Sequence, residues 1–72
     1  MISIPLSILE LAVVSEGSDA AQAIYDSMNI AQEADRLGYK RIWYAEHHNM
    51  RNIASSATAL LIQLAASKTQ RI

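Results

Sequence analysis

Cysteine is absent from this 72-residue chain, proline occurs once and glycine twice. Without cysteine there is no disulfide, no thiolate nucleophile and no thiolate metal site, and the composition fits a reducing compartment. Two glycines leave no room for a phosphate-cradling loop, a P-loop or a nucleophile elbow, so Gly17 and Gly38 are read as turns alone. No excess of one charge exists either: six Lys plus Arg stand against seven Asp plus Glu, for a formal net charge of -1. That balance gives no electrostatic basis for a nucleic-acid or anionic-membrane partner. Long hydrophobic runs are also missing. The longest uncharged stretch, 52–67, contains Asn52, Ser55, Ser56, Thr58, Gln63 and Ser67 and falls short of the ~20 mostly apolar residues that cross a bilayer. At the start of the chain no Lys or Arg precedes the apolar run and Glu10 interrupts it, so it is read as folded structure rather than a signal peptide. A cytoplasmic location is the expectation.

What is present is apolar. Hydrophobic residues make up 51% of the chain and charged residues 18%, the balance of a globular unit. A chain of this size buries only about 60% of its unfolded surface, so a self-sufficient core is marginal without a partner.

The pattern along the chain alternates. Leu6 to Val14 is rich in branched residues and bounded by Pro5 and by Ser15-Glu16-Gly17-Ser18, which predicts a buried strand of a parallel sheet. Ser18 or Asp19 is positioned to cap a helix, with Gln22 completing a weak capping box. Ala20, Ile24, Ser27, Ala31 and Ala34 then trace one helical stripe, with Gln22, Tyr25, Asp26, Asn29, Glu33 and Arg36 mostly opposite, and Gly38 closes the helix. Ile42-Trp43-Tyr44-Ala45 predicts a second strand. A second helix is expected from Ser55 or Ser56 to Ser67, with Ala57, Leu60, Leu61, Leu64 and Ala65 at the helical spacing. Thr69 to Ile72 looks like the turn into a third strand. Strand, helix, strand and helix at intervals of roughly thirty residues predict an α/β fold of parallel βαβ units.

In such folds the loops after the strands' carboxyl ends carry the chemistry. The segment after the second strand holds Glu46, His47, His48 and Asn49 in succession. Histidine serves as general acid or base, as a donor to a developing anion, or as a metal ligand. Neighbours on an extended segment point to opposite sides, so one of His47 and His48 is expected to face the interior. With no cysteine and no further histidine, no metal site is assigned. The simpler alternative is that these side chains only satisfy backbone groups at a strand end. Glu10, inside an apolar run, needs solvent or a donor. A histidine of the neighbouring strand is one candidate, and a polar interior without catalytic task is another. Trp43 and Tyr44 are read either as core or as one ring facing a ligand.

The segment Leu37-Gly38-Tyr39-Lys40-Arg41-Ile42-Trp43-Tyr44-Ala45-Glu46-His47-His48-Asn49-Met50, followed by Ile53-Ala54-Ser55-Ser56-Ala57, strongly resembles the start of the bacterial luciferase-like flavin monooxygenases. Ile4-Pro5-Leu6-Ser7 and Val14-Ser15-Glu16-Gly17 resemble the same branch. The resemblance implies a (β/α)8 TIM-type barrel that uses reduced FMN and O2 to oxidise a small organic substrate such as an aldehyde. It implies that His47 is the active-site histidine beside the flavin, that His48 and Glu46 complete the catalytic motif, and that Glu10 joins His47 near the cofactor. Relatives often carry Pro-Gly in place of Arg51-Asn52, proline in place of Thr58, and Asp and Pro near Glu10 and Val13. A barrel of about 250 residues holds eight βα units, so residues 1–72 are expected to form one partial domain, the first quarter of a barrel. Such a chain alone would not be catalytically complete. Homo-oligomers or the remaining barrel would cover its open faces. A deazaflavin-dependent oxidoreductase of the same superfamily and a non-catalytic, self-associating module are the alternatives.

Overall fold

A computed structural model describes residues 4–72. Four elements follow one another: β1 (Ser7–Glu10), α1 (Ala20–Leu37), β2 (Arg41–Tyr44) and α2 (Thr58–Lys68). The strands are parallel, in the register Ser7↔Arg41 to Glu10↔Tyr44. Lys40 N–H to Leu6 O at 2.8 Å and Ala45 N–H to Glu10 O at 3.0 Å extend the pairing at either end. The parallel βαβα order agrees with the sequence reading.

The first strand is shorter than the expected Leu6 to Val14. Ala12 adopts a φ of 53°, and the Glu10 carboxylate accepts the Ala12 N–H at 3.2 Å, so the chain leaves the ladder just past Glu10. It then pairs a second time, antiparallel, with the loop after β2. Val13 opposes Ile53, flanked by Val14 N–H to Asn52 O at 2.7 Å and Ala54 N–H to Ala12 O at 2.9 Å. The two loops at the carboxyl ends of the strands are therefore tied directly to each other.

Helix α1 starts where Asp19, extended at φ -141°, accepts the Gln22 N–H, which satisfies an otherwise unpaired amide of the first turn. It ends at Gly38, whose φ of 85° suits a residue without a Cβ. Its buried face is Ala23, Ser27, Met28, Ala31, Ala34 and Asp35. The expected stripe is thus rotated: Ala20 is exposed and Ile24 half-buried, while Ala23 and Met28 take the inner positions. Helix α2 begins at Thr58 rather than Ser55 or Ser56 and has no side-chain cap. Of its expected apolar face only Leu61 and Ala65 are buried; Leu60 stays 67% exposed.

Met28, Ala31 and Ala65 form the centre of the core, with Ile42 and Tyr44 packed against them. Alanines at this junction let the helices approach each other and the sheet closely. By strand alternation Ile8 and Glu10 share this covered face with their partners Ile42 and Tyr44. The other face is open: Leu9 and Trp43, paired in register, are 65% and 58% exposed, and the Arg41 guanidinium lies over the Trp43 ring at 5.8 Å.

The segment expected to turn into a third strand forms no ladder among the described residues. Thr69 is extended, and the next three backbone N–H groups, of Gln70, Arg71 and Ile72, all donate to the Asp35 carboxylate at 2.8, 3.0 and 3.1 Å. Among the described residues no helix is long and apolar enough to cross a membrane.

Candidate functional site

The tip of β2 is the chemically richest part of the molecule. Past Tyr44 the chain leaves the strand and bends at His48 and Asn49, and the side chains of Glu46 and His48, two residues apart, meet. Glu46 Oε2 lies 3.0 Å from His48 Nε2, and Glu46 Oε1 accepts the Thr58 hydroxyl at 2.8 Å. The His48 ring, and after it the Thr58 hydroxyl, hold the Glu46 carboxyl below its ordinary value. The Glu46 and His48 side chains are both more than half exposed, so this pair orients its members more than it stabilises the fold.

His47 is half-buried, and its ring makes no hydrogen bond among the described residues. Its backbone is fixed, with the N–H donating to Ser55 O at 2.9 Å. Asn49 follows at φ 62°, a left-handed position that asparagine tolerates better than most residues. It turns the chain so that Asn49, Met50, Arg51, Ile53 and Ser56 line an open depression with His47.

The structure therefore brings Glu46 and His48 together and separates His47 from both. Glu10 is not joined to either histidine. Its carboxylate takes the Ala12 N–H, and it stands in register with Tyr44. Burial pushes the Tyr44 phenol up, the Ser27 hydroxyl beside it opposes this, and the Glu10 charge adds to it. The Tyr44 and Ser27 hydroxyls are both buried neighbours that lack the geometry of a formed hydrogen bond. Tyr44 thus belongs to the covered face and Trp43 to the open one.

Two residues of the site were not singled out as such from sequence. Thr58 orients Glu46, and nothing in its spacing pointed to a contact across the loop. Ser55 reads as a possible start of the second helix, yet it is fully buried and its hydroxyl donates to Ala45 O. Among the described residues no group of three or more His, Asp and Glu side chains is placed to hold a metal ion.

For a flavin, the unpartnered His47 ring and the Asn49 amide offer donor and acceptor groups suited to the polar rim of a heteroaromatic ring. A phosphate cradle is a different matter. The chain's two glycines, Gly17 and Gly38, are isolated turn residues at φ 79° and 85° rather than a glycine-rich run of backbone amides.

Known proteins share this sequence and shape. The profile of the luciferase-like monooxygenases matches residues 4–72. A luciferase-like monooxygenase of Escherichia coli K12 is 48% identical over 67 residues, covering 93% of this chain and 20% of that protein. The N-acetyl-S-alkylcysteine monooxygenase of Bacillus subtilis is 42% identical over 69 residues, covering 96% of this chain and 21% of that protein. The crystal structure of apo-MsnO8 superimposes with a TM-score of 0.93 at 42% identity, over 96% of this chain and 21% of that one. The chain spans about a fifth of the length of these relatives. With a family profile covering nearly every residue and a fold that superimposes at this level, the chain belongs to the luciferase-like monooxygenase family.

Proposed function

We propose that this chain forms the opening βα units, the first quarter of a (β/α)8 barrel, of a flavin-dependent monooxygenase, with His47 the residue that faces the cofactor. The observation that carries the reading is the division of labour at the β2 tip. Glu46, His48 and Thr58 satisfy one another, while the His47 ring has no hydrogen-bond partner among the described residues and lines the depression. A ring held by its backbone, with both nitrogens uncommitted, is suited to hold or pass a proton at a ligand.

Reduced FMN, when bound, would supply the two electrons that let one oxygen atom of O2 leave as water while the other enters the organic substrate. His47 would hold a proton at the flavin rim, Asn49 would orient the ring, and Met50 and Ile53 would keep water from it. Glu10 contributes through the loop, since its carboxylate shapes the Ala12 turn behind the Val13–Ile53 bridge. The phosphate is bound outside residues 4–72, and the chain by itself is not catalytically complete. Two relatives are named for different substrates, an N-acetyl-S-alkylcysteine and limonene, so the substrate proposed is a small organic molecule without finer assignment.

The test is a chimera in which this chain replaces the matching segment of the Bacillus subtilis N-acetyl-S-alkylcysteine monooxygenase. With reduced FMN and O2 the chimera should oxidise its host's substrate, and His47→Ala in it should lower kcat by about a hundredfold while the protein stays folded. Undiminished turnover in the His47→Ala chimera would remove His47 from the reaction.

A second reading, a self-associating module without catalysis, is favoured by one observation, the exposure of Leu9 and Trp43 on the open face of the sheet.

A further inference from the structure

We propose that Ser55 is the positioning residue of the β2 tip, the side chain that sets where Glu46 and His47 are presented. The proposal deepens the reading above and rests on His47 being the group that faces the cofactor. Ser55 is 0% exposed. Its hydroxyl donates to Ala45 O, and its own carbonyl accepts the His47 N–H at 2.9 Å. One residue therefore grips the main chain on both sides of Glu46.

The neighbours of Ser55 are committed elsewhere. The Ala54 N–H goes to Ala12 O and the Ser56 N–H to Ala54 O. The Glu46 side chain is occupied by His48 and Thr58. None of these replaces the hydroxyl on Ala45. The two bonds of Ser55 also differ in kind. The bond to His47 uses main-chain atoms that any residue has, whereas the bond to Ala45 needs the hydroxyl. Alanine at this position keeps the carbonyl but loses the anchor that holds it under His47, and it leaves the Ala45 carbonyl without this donor. Ser55 is in turn joined through Ala54 to the pairing with Ala12, so the position of His47 is referenced to the loop after β1 as well as to β2.

The experiment uses the full chain, labelled for NMR. Exchange of the His47 amide is compared with that of the core amides of Ala31 and Ala65, and the His47 ring is observed in the chimera with oxidised FMN in large excess. In Ser55→Ala the His47 amide should exchange about fivefold to tenfold faster relative to the core amides, and the FMN-induced shift of the His47 ring should fall by a similar factor. Ser55→Cys, close in volume and a weak donor, should lie between wild type and alanine. Ser67→Ala, which removes a serine bond to Leu64 O on the exposed side of α2, should leave His47 unchanged. Equal relative exchange of His47 in wild type and Ser55→Ala overturns the proposal. Should the alanine variant not fold, the cysteine variant carries the same comparison, and wild-type exchange there overturns it equally. A wild-type His47 ring that does not respond to FMN in the chimera described above, where the rest of the barrel is present, would instead count against the flavin reading, with the exchange data still deciding on Ser55.

Discussion

Asp35 shows how much one side chain does in this molecule. It sits on the buried face of α1 and accepts three successive backbone N–H groups from the segment after α2. The Gln70 N–H first, then those of Arg71 and Ile72 and the Arg71 charge, hold its carboxyl below the ordinary aspartate value against the effect of burial. A depressed carboxylate stabilises fully above its unfolded pKa, about 3.9, and loses that contribution as pH falls through the native value. Acid should therefore release residues 70–72 from α1, with the loss beginning near the ordinary aspartate range and completing below it. Amide exchange of Gln70, Arg71 and Ile72 measures this, and Asp35→Asn should show the fast exchange already at neutral pH. Protection that persists unchanged in the variant would show that other contacts hold the segment. The sequence contains a trace of this role, because Asp35 lies at helical spacing from Met28 and Ala31, where an apolar residue would be expected. The Glu46 and His48 pairing was legible only in part: alternation set His47 and His48 apart, while the carboxylate expected to meet a histidine was Glu10 rather than Glu46. Ser55 was not legible: a serine just before a helix is the ordinary pattern of a cap, and only tertiary structure shows it buried and turned toward Ala45.

At the scale of elements, the termini of α1 were readable because each rests on local chemistry. Asp19 accepts from Gln22, and Gly38 takes the left-handed conformation. A Cβ at Gly38 would meet nothing within 4 Å, so Gly38→Ala isolates the backbone cost. We expect a loss of about 1 kcal/mol in chemical denaturation, with no change in the slope of the transition; a neutral variant would mean that the chain re-forms the turn without the left-handed residue. The ends of β1 and the start of α2 were less readable, and for a common reason. Ala12 turns at φ 53° because Glu10 and the paired loop hold it there, and alanine carries no mark of such a conformation. Ser55 and Thr58 spend their hydroxyls on Ala45 and Glu46, so α2 starts late and without a side-chain cap. In each case a long-range contact overrides a local preference.

At the scale of the whole molecule, the order of strands and helices followed from periodicity, while the surfaces left uncovered did not. Helical spacing placed Leu60 and Leu64 on an inner face, yet Leu60 is 67% and Leu64 38% exposed, because one neighbouring helix and two strands cover only Leu61 and Ala65. With Leu9 and Trp43 they leave apolar surface on both sides of the structure. Light scattering should show association that grows with concentration, and Trp43→Glu should reduce it by placing a charge in the middle of the open sheet face. A folded wild-type monomer throughout the micromolar range would contradict this.

The antiparallel bridge between the two loops places a constraint on variation in length. Val13 and Ile53 face each other, and the flanking bonds run from Val14 to Asn52 and from Ala54 to Ala12. Inserting or deleting one residue between Asn49 and Ile53 would slip this pairing by one step and invert which side chains face each way. The same step would carry Ser55 out of reach of Ala45. Substitutions within that loop are thus compatible with the fold over a wide range of chemistry, whereas single-residue changes in its length are not, unless the stretch from Leu11 to Val14 changes length with it.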